Sequence, residues 1–119
     1  MARILVVNNS VVSGDCIADY LETTGGHIVV SRLSAQMAFL CADLYPFDVA
    51  VVDDLDLDTS GAIIAHQIKE ELGKPVVGMK TLEGQPDFGD KTVIKGESGI
   101  ALLVAIDELL EEAPVETEK

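Results

Sequence analysis

The residues of this chain that could do chemistry stand at the ends of two apolar runs. Val49-Ala50-Val51-Val52 ends in the carboxylates Asp53-Asp54, and Arg3-Ile4-Leu5-Val6-Val7 ends in the amides Asn8-Asn9. If both runs are parallel strands of one sheet, Asn8, Asn9 and Asp53 meet at its carboxyl edge, where open α/β sheets hold their ligands. Amides bring only neutral carbonyl oxygens to such an edge, so Asp53 is the sole charge in the trio.

Other constellations are weaker. Asp54, Asp56 and Asp58 alternate as calcium ligands can, but counting Asp54 as the first loop position puts Thr59 where an EF-hand needs glycine and Ala65 where it needs glutamate. A solvated acidic loop is the expected reading. His27 and His66 have no ligand spacing and read as surface or edge residues. Cys16 and Cys41 lack CxxC spacing and read as small buried hydrophobes on helices. No G-x-S-x-G, G-x-G-x-x-G or P-loop motif follows a strand, so the chain is not expected to be an enzyme. Asn9-Ser10-Val11-Val12-Ser13-Gly14 is a faint phosphate-cradling loop, which keeps a small nucleotide or flavin binder open as an alternative.

The elements that must position these residues are legible from periodicity. Strands are expected over Arg3–Val7, His27–Ser31, Asp48–Val52, Val76–Met79 and Thr92–Ile94. Between them, helices are expected from Val11 to Thr23, from Ser34 to about Leu44, along the stripe Ile64, Ile68 and Leu72, and from Gly99 to Glu112. Gly25-Gly26, Pro46 and Gly73 supply stop signals. Thr81 to Lys91 holds Gly84, Pro86 and Gly89 without apolar repeat and reads as a loop. Strands alternating with helices over short links imply a parallel sheet with right-handed crossovers.

At 119 residues the chain is one domain's worth, expected over 1–113 with an acidic flexible tail at 114–119. The composition, 48% hydrophobic but 4% aromatic, describes the aliphatic interior of buried parallel strands. A formal charge of −13 disfavours nucleic acid and anionic lipid and favours a basic partner surface. No stretch approaches the about 20 apolar residues of a bilayer span, and no signal-like leader is seen, so a cytoplasmic protein is expected.

Three strand ends in register resemble one family. Arg3 to Ser10 resembles the first strand of response-regulator receiver domains, in which an acidic pair stands at Asn8-Asn9. Phe47 to Asp53 resembles their third strand, ending in the phosphoaccepting aspartate, with Gly61 at the expected distance beyond. Val93-Ile94-Lys95 resembles the fifth strand with its lysine. The resemblance runs from Arg3 to Glu112 and implies a flavodoxin-like, doubly wound five-stranded parallel sheet in the order 2-1-3-4-5.

The departures from the family pattern bear on function. In receivers, magnesium held by the acidic pair and the aspartate neutralises the phosphoryl oxygens. Each acid replaced by an amide removes about 8 kcal/mol of raw attraction to a divalent ion at about 4 Å and an effective dielectric of about 20, before desolvation is subtracted. Asn9, Asp53 and Asp56 are left as weak metal candidates. The family's strand-four hydroxyl aligns with Lys80, or with Thr81 after a slip of one residue. The aromatic switch position falls on Thr92, Gly96 stands for a proline, and the helix between strands four and five is shortened or replaced by a loop. Lys80 and Lys95 are therefore expected to flank Asp53, their ammonium groups standing in for magnesium; the alternative extends Lys80 into solvent.

The resemblance thus implies a pseudo-receiver, a signalling module without magnesium-dependent phosphorylation that works by protein–protein interaction and needs no cofactor. A competent receiver phosphorylated on Asp53, using magnesium, is the main alternative. The last helix is apolar nearly all round, so strands four and five with Ile100, Leu103, Val104 and Thr92 are expected to form an exposed patch. That patch would serve a homodimer or a partner with a basic or apolar docking surface. The competing expectation folds Leu82 and Phe88 back over it.

Overall fold

The aliphatic runs become strands because β-branched residues buried on both faces suit a covered parallel sheet. In the computed structural model these are β1 (Arg3–Val7), β2 (Ile28–Arg32), β3 (Val49–Asp53), β4 (Val76–Lys80) and β5 (Lys91–Ile94). The helices are α1 (Val11–Thr23), α2 (Gly61–Gln67, continued by a π-helical turn over Ile68–Leu72) and α3 (Gly99–Glu112). The structure describes residues 2–7, 11–32, 46–53, 61–80, 87–94 and 99–112. The expected helix at 34–44 and the tail at 114–119 lie outside the described residues.

All five strands are parallel, in the order β2-β1-β3-β4-β5. Every residue of β3 and β4 is buried, whereas the edge strand β5 is half-buried throughout. One face of the sheet packs Ile4, Val6, Val49, Val51, Val77 and Met79 against Leu21 of α1 and Leu102, Ala105, Ile106 and Leu109 of α3. The other packs Leu5, Val7, Ala50, Val52 and Val76 against Ile64, Ala65 and Ile68 of α2, with Phe47 and Phe88. The period-two alternation of each strand divides the core between the two layers.

α1 stops at the glycine pair as expected. The His27 N–H donates to the Leu21 carbonyl and the Gly26 N–H to that of Glu22, each at 3.2 Å, with Gly26 at φ 70°. These paired bonds satisfy the helix's last carbonyls and need a left-handed residue at position 26. Cys16 departs from expectation, because it lies on the exposed side of α1 while Ile17, Tyr20 and Leu21 face the core. Cys41 lies outside the described residues.

The expected patch is covered on its β4 side and exposed on α3. β4 is fully buried, and Phe88, 8% exposed, folds back onto the α2 face, the layer opposite α3. The glycine at position 78 makes this possible. A Cβ there would stand 2.3 Å from the Phe88 carbonyl oxygen and 2.7 Å from its ring. On α3, Leu103 is half-buried against Gly25, leaving Ile100 (64% exposed) and Val104 (47%) one turn apart at the surface.

Candidate functional site at the carboxyl edge

Asp53 closes β3, and the register that pairs it with Met79 sets Lys80 one step further along the neighbouring strand. Both stand at the carboxyl edge of the sheet. Asp53 is fully buried and Lys80 is 8% exposed, the two buried charged residues among those described. Buried charge needs partners, and among the described residues no buried side-chain polar atom lacks one. The alternative that extends Lys80 into solvent is therefore excluded. Its long aliphatic stem is retained by the layer beneath α2, where alternation places it with Val76 and Gly78.

The Lys80 ammonium donates to Asp87 Oδ1 at 2.7 Å. Alternation assigns Asp53 to the opposite face, with Val49 and Val51. The sequence reading missed Asp87. The available signal was an acid seven residues after a strand-terminal lysine, across a Gly- and Pro-containing loop short enough to return to the same strand end.

Asp87 begins a strap, residues 87–90, in which Gly89 bridges to the sheet and Asp87, Phe88 and Asp90 are tied to it by hydrogen bonds. Thr92 Oγ1 accepts the Phe88 N–H at 3.1 Å and donates to the Phe88 carbonyl at 2.9 Å. Asp90 donates its N–H to the Val76 carbonyl at 2.7 Å and accepts the Val76 N–H on Oδ2 at 2.8 Å. Its Oδ1 pairs with Lys69 at 2.6 Å, joining the strap to the last turn of α2. Thr92, at the position the resemblance gives to an aromatic switch residue, thus spends its hydroxyl on the strap.

Asn8, Asn9, Asp56, Thr81 and Lys95 lie outside the described residues. Among those described, no three His, Cys, Asp or Glu side chains gather where a metal ion could sit.

Neither a protein-family model nor a curated protein sequence matches the chain. Solved structures do: the chain has the flavodoxin-like fold seen in response-regulator receiver domains. It superposes on the response regulator TrrA of Thermotoga maritima, solved with Mg2+ and BeF, with TM-score 0.80 and 19% identity, covering 92% of this chain and 100% of that one. A CheY-like receiver domain of Methanospirillum hungatei gives TM-score 0.79 and 21% identity over 94% of this chain and 95% of the other. A Francisella response-regulator receiver domain gives 0.78 and 17%, over 93% and 98%.

Proposed function

We propose that the chain is a pseudo-receiver: a two-component-type signalling module, not an enzyme, that works by binding another protein without magnesium-dependent phosphorylation of Asp53. What supports this most directly is Lys80. The receiver hydroxyl that contacts a phosphoryl group aligns with Lys80, or with Thr81 after a slip of one residue, and Lys80 is buried and already paired with Asp87. Amides in place of the acidic pair, and a threonine latched to the strap in place of the aromatic switch, point the same way.

Incubation with acetyl phosphate and magnesium, followed by intact mass, tests the reading. The expected result is no added phosphoryl group. A phosphoryl adduct that disappears in Asp53→Asn would establish the second reading, a competent receiver. That reading draws on the position of Asp53, at the end of the central strand of a fold that in TrrA was solved with Mg2+ and BeF. Asp56 would then supply the missing magnesium ligand. A flavin or nucleotide binder would instead show a bound chromophore in the absorbance spectrum of the purified protein.

The binding surface we assign is the exposed pair Ile100 and Val104 on α3, flanked by β5. The charge of −13 favours a partner whose rim is basic, and a second copy meeting through α3 and β5 is the simplest assembly. Light scattering at high micromolar concentration is expected to give a dimer that Val104→Glu dissociates. Among the described residues no helix is long and apolar enough to cross a membrane, and we place the module in the cytoplasm.

A further inference from the structure

The amino edge of the sheet, at the far end of the strands from Asp53, holds a cleft that the signalling reading does not use. Arg3 and Ile28, paired across β1 and β2, open their strands there, and Asp48 and Lys74 stand just before β3 and β4. Two contiguous cavities, of about 280 and 340 Å³, share Arg3, Ile28, Pro46 and Phe47, and the larger also reaches Lys74. Each is near the lower end of the about 300–1,000 Å³ typical of small-molecule sites.

The wall chemistry is two-sided. Pro46, Phe47 and the 45% exposed Ile28 form apolar walls, while Arg3 and Lys74 bring cations. In the ion pairs of the described residues, Lys69, Lys80 and Lys91 are each matched to an acid, but Arg3 and Lys74 are not. Two cations that pair with no acid among the described residues therefore line one cavity. Asp48, the acid beside them, has Oδ2 occupied by the Arg3 N–H at 2.9 Å. Two cations and one acid leave a local charge of +1, which suits a monoanion better than a phosphate dianion. A guanidinium also meets a carboxylate through two parallel bonds.

We propose that this cleft binds a small amphiphilic carboxylate, its head held by Arg3 and Lys74 and its apolar body lying along Ile28, Pro46 and Phe47. The proposal is independent of whether Asp53 is phosphorylated.

Titration of the full chain with sodium octanoate at physiological salt, followed by amide shifts in a two-dimensional NMR spectrum, tests it. Saturable shifts are expected at residues 2–4, 28, 47, 48 and 74, and not at Ile100 or Val104. Arg3→Gln and Lys74→Gln should each weaken octanoate about fivefold, the usual worth of one exposed charge pair. Ile28→Thr, which keeps a β-branched strand residue, should weaken it severalfold through the lost wall. Unshifted signals elsewhere in each variant confirm its fold. The proposal is overturned by a response that does not saturate, by shifts centred on α3, or by 1-octanol or octylammonium binding as tightly as octanoate. It is equally overturned if the charge variants bind unchanged, or if inorganic phosphate alone saturates the same residues with equal affinity.

Discussion

Replacing Gly78 by alanine tests whether the strap is built into the sheet or only lies over it. The added Cβ would come within 2.3 Å of the Phe88 carbonyl oxygen, a backbone atom that cannot rotate aside. An ordinary carbon–oxygen contact is about 3.3 Å, so the strap must retreat by about 1 Å. Such a shift lengthens the 2.7 Å bond from the Asp90 N–H to Val76 beyond useful range and lifts the Phe88 ring. Overpacking of this kind costs about 1–3 kcal/mol, and one or two weakened hydrogen bonds add about 1 kcal/mol each. We expect a loss of about 3 kcal/mol, a large share of the 5–15 kcal/mol that holds a typical domain. Urea denaturation reads the loss as a lower midpoint at unchanged slope. Phe88→Ala alone should cost about 3 kcal/mol, and the double variant less than the sum by about 1 kcal/mol, because the ring clash is gone while the carbonyl clash stays. Faster amide exchange at Asp90 in the single Gly78 variant should accompany the midpoint shift. A Gly78→Ala protein within about 0.5 kcal/mol of the parent would refute the close approach of strap and strand.

Three further perturbations separate the other contacts. Asp90→Ala removes acceptors from both the Val76 N–H and Lys69 and should cost about 2 kcal/mol by urea denaturation, with Asp90→Asn recovering part of it. Asp87→Asn should cost only about 1 kcal/mol, since the Asp87 side chain is 75% exposed, and the difference from the parent should shrink in high salt. Gly26→Ala, at φ 70° with open space around it, should cost about 1 kcal/mol through backbone strain alone, measured as a lower thermal midpoint without change in the spectrum of the sheet.

The scaffold was legible because burial on both faces writes itself as unbroken aliphatic runs. β1, α1 and α3 begin and end where periodicity and stop signals place them. β3 starts one residue late because Asp48 spends its side chain on the Arg3 N–H, and the strand ladder opens at Val49. β4 runs on to Lys80, and β5 opens at Lys91, since the two strands pair from Val77–Lys91 to Lys80–Ile94. Residue type misled at Cys16, where the side of a helix decides exposure and the thiol lies off the apolar stripe. Asp53 was placed correctly because an acid ending a buried run must lie at a strand end. The pairing of Lys80 with Asp87 had only a weak signal, an acid seven residues beyond a strand-terminal lysine, which by itself does not bring the two together. The sequence offers Phe88 as a cover, but the layer it joins follows only from the parity of Gly78.

A segment stitched to its scaffold at successive residues has one deep energy minimum, whereas a toggle needs two of comparable depth. The stretch from Asp87 to Asp90 is of the first kind, which ties the molecule's β4–β5 flank to α2 as one rigid piece. If the chain is the pseudo-receiver proposed above, its output would follow abundance and choice of companion rather than a change of shape on that flank.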